Sequence, residues 1–221
     1  MLVRRHLVAL LGSLLGFAPP VFAQPASPVR EYDVVLDTIA LSGRNARLVF
    51  NLTNGDTGAN ALVQISQFTT NGSVGTTSTA RGNVIGSLDT AILLDDRSAM
   101  TTQYVQTDAV LGTQLSFHLK TTDLHAAPDK PYDAFTFHVL NAQAKTPLVA
   151  TSDPTRANAV FVLELGRTPG SPEKLTLFQR DLYQSSYTWS ATVTPVPEPA
   201  ATAAAIAAFA ALALLRRQAI R

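Results

Sequence analysis

Residues 133–141 read DAFTFHVLN, and the alternation in this stretch decides the fold. Phe135, Phe137 and Val139 fall on one side of an extended chain, and His138 falls on the other. An apolar period of two, rich in Phe, Val and Thr, marks a strand that buries one face. Working outward, ARLVFNL at 46–52 places Leu48, Phe50 and Leu52 together, and TQLSFHLKT at 113–121 does the same with Leu115, Phe117 and Leu119. In AVFVLEL at 159–165, Phe161, Leu163 and Leu165 oppose Val160, Val162 and Glu164. KLTLFQ pairs Leu175 with Leu177, and YTWSATV pairs Tyr187 with Trp189. Turn dipeptides separate the runs, including Asn54-Gly55, Asn71-Gly72, Pro128-Asp129 and Asp153-Pro154. The body shows no helical period. About eight to ten short strands at this spacing predict an all-β, antiparallel β-sandwich, jelly-roll-like or immunoglobulin-like.

Both ends depart from this pattern. Arg4, Arg5 and His6 precede an apolar run from Leu7 to Phe17, which is too short to span a bilayer. Pro19 and Pro20 break the run, and Val21-Phe22-Ala23 supplies the small residues of a cleavage site. Residues 1–23 therefore read as a secretory signal peptide, cut by signal peptidase between Ala23 and Gln24. The other end carries no charge from Ala200 to Leu215, then Arg216 and Arg217. At 1.5 Å per residue the run 200–215 is about 24 Å long, a short transmembrane helix beside a hydrocarbon core of about 30 Å. Snorkelling arginines extend its reach and stay cytoplasmic, which places the body outside the inner membrane. An Ala-dominated span is a weak anchor, suited to transient tethering. The predicted organisation is 1–23 signal peptide, 24–193 β-domain and 194–221 sorting tail.

Val196-Pro197-Glu198-Pro199, the apolar helix and the terminal arginines together resemble the PEP-CTERM sorting signal of Gram-negative bacteria. The resemblance implies recognition at Pro197, Glu198 and Pro199 by an exosortase-type processing enzyme that removes the helix. It also implies a setting at the cell surface or in an exopolysaccharide matrix, as in biofilm. The stretches ARLVFNL, GNVIGSLDTAILLDD, VLGTQLSFHLKTT and FTFHVLNAQAKTPLVATSDPTRANAVFVLEL are similar to a group of PEP-CTERM proteins of unknown function. That second likeness implies a fold and a setting, and no reaction.

Composition narrows the function further. Only 15% of residues are charged, against about a quarter in an average globular domain, so Thr, Ser, Asn and Gln carry solubility. A net charge of +1 supplies no basic stripe for nucleic acid. With no cysteine there are neither disulfides nor thiolate metal sites. G-x-S-x-G, H-E-x-x-H and Gly-rich phosphate loops are absent from the sequence, so no enzyme and no cofactor are expected.

Three constellations remain. If the strands around 117 and 137 form a hairpin centred near Pro128, His118 faces His138, and His125 in the connection completes a three-ligand metal site with one open position. Idle surface histidines are the commoner outcome of such a pattern. LLDDRS, with Asp95 and Asp96, joined by Asp89 and Asp108, carries oxygen ligands for Ca²⁺ but no spaced acidic loop, and reads first as a solvated turn. Tyr104, Tyr132, Tyr183, Tyr187 and Trp189 are the candidate glycan contacts, with Tyr183, Tyr187 and Trp189 in the densest cluster, although a lone Trp in a sandwich is more often core. The expectation is an exported, non-enzymatic surface or matrix protein associated with exopolysaccharide. The alternative is a polysaccharide-binding module or glycan-active enzyme on the same scaffold.

Overall fold

A computed structural model of the chain describes residues 29–56, 58, 60–97, 100–123, 131–165, 173–184 and 186–197. Among them are twelve strands: β1 (Val29–Asp37), β2 (Asn45–Thr53), β3 (Ala61–Thr70), β4 (Ser73–Arg81), β5 (Asn83–Ser87), β6 (Ala91–Asp95), β7 (Thr102–Val110), β8 (Gln114–Asp123), β9 (Asp133–Asn141), β10 (Phe161–Leu165), β11 (Lys174–Leu177) and β12 (Ser190–Pro195). One 3-10 turn, Ile39–Leu41, joins β1 to β2, and the described residues contain no α-helix.

The strands form two antiparallel six-stranded sheets packed face to face, a β-sandwich. The first sheet runs β12-β1-β8-β3-β6-β5 and the second β11-β10-β9-β2-β7-β4. Pairing is nested: β1 lies on β8, β2 on β7 and β3 on β6, so the first half of the chain pairs backward with the next part. β9, β10 and β11 then widen the second sheet beyond β2, and β12 returns to the first sheet beside β1.

The alternating faces meet in one core. Leu48, Phe50, Leu52, Phe135, Phe137 and Val139 point inward from the second sheet, and Val34, Leu36, Leu115, Phe117 and Leu119 meet them from the first. Four phenylalanines lie at its centre: Phe137 stacks on Phe50 at 5.0 Å, Phe117 meets Phe137 edge-on at 5.2 Å, and Phe161 lies 6.1 Å from Phe137. Burying each such ring contributes about 1.5–3 kcal/mol.

Several strands differ from the sequence reading. The stretch QPASPVREY at 24–32 reads as a Pro-rich lead-in, but β1 begins inside it at Val29 and buries Tyr32, Val34 and Leu36 between β12 and β8. β7 is central, yet Gln103 and Thr107 take inward positions beside Val105, which hides the apolar period. β4, SVGTTSTAR, is almost wholly exposed at the edge of the second sheet. β12 runs through Pro195, two positions past the expected boundary at 193. The Val196 N–H then donates to the Glu31 carbonyl at 2.8 Å. Pro195 is tolerated because β12 is an edge strand, where one side of the ladder needs no donor.

No helix among the described residues is long and apolar enough to cross a membrane. The expected span 200–215, the signal peptide with Ala23 and Gln24, and Glu198, Pro199, Arg216, Arg217 and His125 all lie outside the described residues.

Candidate functional site

Four strands of the second sheet carry a continuous row on their outer face. Register aligns Asn51 of β2 with Thr136 of β9, Thr136 with Val162 of β10, and Val162 with Thr176 of β11. Their neighbours Phe50, Phe135, Phe161 and Leu163 are core, so pleating turns this row outward. Asp153, Pro154, Thr155 and Ala157, from the connection between β9 and β10, form one wall, and Tyr132 and Phe178 also line the space. The result is a groove of about 470 Å³, within the usual size range of small-ligand sites.

A hydrogen-bond chain runs along the groove. Asn51 Nδ2 donates to Thr136 Oγ1 at 3.4 Å, Thr136 Oγ1 and His138 Nε2 are 3.0 Å apart, and His138 Nδ1 lies 3.1 Å from the Ala157 carbonyl. A carbonyl only accepts, so Nδ1 carries the imidazole proton and Nε2 accepts from the threonine hydroxyl. Burial holds His138 below the ordinary histidine range, against opposing hydrogen bonds to Ala157 and Asn158 and the charge of Asp153. The ring is therefore neutral at neutral pH. Asn51 Oδ1 is sealed from solvent with no donor.

The wall is a tightly bonded loop. Asp153 accepts from the Thr155 hydroxyl at 2.7 Å, the Thr155 N–H at 2.9 Å and the Ala159 N–H at 3.2 Å. Burial pushes its carboxyl up, but these donors outweigh burial and leave it below the usual range. Arg156 and Asn158 adopt left-handed backbone, with φ of 62° and 57°. The Thr151 N–H donates to Asn158 Oδ1 at 3.0 Å and locks the turn. At one end of the groove Glu164 pairs with Lys174 at 3.0 Å. The groove thus offers neutral donors and acceptors flanked by two aromatic rings, with both carboxylates already engaged.

The residues singled out by sequence fall elsewhere or apart. His118 and His138 do not face each other, because β8 and β9 form no hairpin: β8 pairs with β1 and β3 in one sheet, and β9 with β2 and β10 in the other. His118 stands between core Phe117 and Leu119, and His138 between core Phe137 and Val139, so the two sit on opposite outer faces of the sandwich. His118 instead lies 2.9 Å from Asp33 and 3.4 Å from Glu31, its neighbours on β1. Among the described residues no three or more of His, Cys, Asp and Glu form a group that could hold a metal ion.

Tyr183, Tyr187 and Trp189 do not form a binding platform. Trp189 is 6% exposed and belongs to the core. Tyr187 is half-buried under the Arg44 guanidinium, 5.0 Å from its ring centre. Tyr183 stands fully exposed. The aromatic rings that do line a groove, Tyr132 and Phe178, come from distant parts of the chain.

Asp95 and Asp96 are not a solvated turn, since both are buried. Asp95 is held by Arg97, whose hydrogen bonds keep its carboxyl low despite burial. Asp96 is raised, first by burial and then by Asp95 and Asp56. Asp133 is pushed up to about 7 by burial, with Asp56 and Asp96 adding to the shift. Asp89 is exposed, and Asp108 pairs with Arg47 at 2.8 Å.

Comparison of the chain with protein-family models, with curated proteins and with solved structures finds no match.

Proposed function

We propose that the chain is an exported, non-enzymatic cell-surface or matrix protein whose sandwich associates with exopolysaccharide through the groove on β9, β10 and β11. In this reading signal peptidase removes residues 1–23, the tail tethers the body briefly to the inner membrane, and an exosortase-type enzyme cuts at the PEP-CTERM signal. The scaffold is jelly-roll-like rather than immunoglobulin-like, a choice supported by the nested pairing of β1 with β8, β2 with β7 and β3 with β6.

One observation carries the glycan reading: the uncharged hydrogen-bonding side chains of Asn51, Thr136 and Thr176 lie with Val162 in a groove lined by two aromatic rings. Sugars present hydroxyls and apolar C–H faces together. Thr136 and Thr176 suit the first, and Tyr132 and Phe178 suit the second. A glycosidase reading receives less support, because Asp153 is saturated by three donors and Glu164 is tied to Lys174.

The test is a glycan array probed with the full chain in mild detergent. Binding to neutral polysaccharides is expected, and it should be lost when Tyr132 and Phe178 are both replaced by Ala. Binding to none, or undiminished binding by the double variant, refutes the groove as the contact.

A further inference from the structure

Three segments bring carboxylates together at the end of the sandwich where β2 leaves and β9 enters. Asp56 comes from the connection between β2 and β3, Asp96 follows β6, and Asp133 opens β9. Each is less than a tenth exposed, and Asp95 beside them is buried as well. The backbone closes tightly here: a side chain at Gly55 would collide with the backbone at Tyr132. The Gly55 N–H donates to Asp133 Oδ1 at 2.7 Å.

The charges in this cluster do not balance among the described residues. Arg97 is the cation whose electrostatic influence reaches Asp95 and Asp96, and its guanidinium is committed to Asp95 through Nε and Nη2. Asp56, Asp96 and Asp133 are held by neutral donors only. The Gly58 N–H and Asn60 Nδ2 serve Asp56, each at 2.6 Å. The Asn60 N–H at 3.2 Å and Asn54 Nδ2 at 3.4 Å serve Asp96 Oδ2, and the Ala61 backbone N–H also acts on this carboxyl.

Two oxygens are left over. Asp96 Oδ1 is sealed from solvent, in a side chain almost completely buried, and has no donor. Asn60 Oδ1 is likewise sealed without a donor, on the residue whose Nδ2 bonds Asp56 and whose N–H bonds Asp96. Acceptor oxygens deprived of both water and proton donors, among buried carboxylates, are the complement of a bare cation.

We propose that Asp56, Asp96 and Asn60 bind one Ca²⁺ ion that ties the connection between β2 and β3 to the end of β6, with Asp133 in electrostatic support. Two carboxylates and an amide oxygen are a hard-oxygen donor set, which suits Ca²⁺ and lacks the nitrogen and sulfur ligands favoured by Zn²⁺. Ca²⁺ takes six to eight oxygens, so backbone carbonyls of the same connections would have to supply most of the remainder. The site borders the glycan groove, since Tyr132 precedes Asp133 and its backbone packs on Gly55, but no groove-lining residue is among its three ligands.

The test follows thermal unfolding of the full chain in mild detergent, in EGTA and with added Ca²⁺ or Mg²⁺. Affinity in the range of extracellular modules, about 10⁻⁴–10⁻³ M, raises Tm by about 5 °C at 10 mM Ca²⁺. Mg²⁺ at the same concentration is expected to do much less, because it demands a smaller octahedral shell. Asp96→Asn and Asp56→Asn are each expected to abolish the Ca²⁺ shift; Tm in EGTA is expected to stay the same or rise in Asp96→Asn, whose amide nitrogen can take the place of the undonated Oδ1, and to fall in Asp56→Asn, which sets an amide N–H against the Gly58 N–H or Asn60 Nδ2. Both carry the test, so misfolding of one leaves the other. No Ca²⁺ shift in the parent chain, an equal shift with Mg²⁺, or a full Ca²⁺ shift in either folded variant overturns the site.

Discussion

Phe117 of β8 meets Phe50 of β2 edge-on across the two sheets, with ring centres 5.4 Å apart and planes at 83°. This contact joins the sheets at their centre, since Phe137 packs on both rings. Phe117→Ala is expected to cost about 3–5 kcal/mol, combining lost burial with an unfilled cavity. Phe117→Leu keeps most of the volume and is expected to cost less than about 2 kcal/mol. Urea unfolding with an unchanged m-value measures both. A Phe117→Ala cost below about 1.5 kcal/mol would remove Phe117 from the centre of the core.

The strands flanking that contact were legible because their inward positions are all Phe, Leu or Val, as in 48, 50, 52 and 135, 137, 139. β7 was not, because Gln103 and Thr107 face inward and break the apolar count. β4 was not, because both its faces are polar and its place comes from pairing with β7 alone. The same limit governs the site. Alternation correctly put His138 on an outer face, but adjacency of strands is a tertiary fact: chain neighbours β8 and β9 separate into different sheets, while Asn51 and Thr136 become cross-strand partners. The buried acids were unreadable for the same reason, since Asp56, Asp96 and Asp133 meet only when three connections converge.

Trp189 carries a second stability test. Its ring is in the core, yet Nε1 is buried without a partner. An unpaired buried N–H costs about 1–3 kcal/mol, so the indole gives back part of what its area contributes. Trp189→Phe keeps an aromatic ring and removes the orphan donor, and its cost is expected to stay under about 1.5 kcal/mol. Trp189→Ala is expected to cost about 3–5 kcal/mol. Equal losses in the two variants would mean that the indole N–H is satisfied in solution.

His138 sets a pH dependence with a defined sign. Burial depresses its folded pKa below the ordinary 6.5, so between the two values the unfolded chain binds more protons than the folded one. The contribution of His138 to stability is then full above pH 6.5 and falls as the pH drops toward the folded value, while Asp133, pushed up to about 7, contributes with the opposite sign. His138→Gln is expected to flatten this part of the curve relative to the parent chain. Unfolding free energies across pH 5 to 8 in both proteins make the comparison, and parallel curves would place the titration elsewhere.

The tail leaves the sandwich at a fixed point, and this constrains its processing. The Val196 N–H is bonded to the Glu31 carbonyl, so the chain is held in the edge of the first sheet through that residue. Pro197 is exposed, and on the proposed reading it opens the Pro-Glu-Pro signal that an exosortase-type enzyme recognises. Intact-mass analysis of protein from the native host is therefore expected to show an N-terminus at Gln24 and a C-terminus beyond Val196 that lacks the apolar run 200–215. Replacing Pro197, Glu198 and Pro199 together with Ala is expected to leave the run attached and the protein in the membrane fraction. Release at the parental level by that triple variant would reduce Pro-Glu-Pro to a stiff spacer. A cut before Val196 would require β12 to peel from β1 first, and would move recognition from the tail to the edge strand.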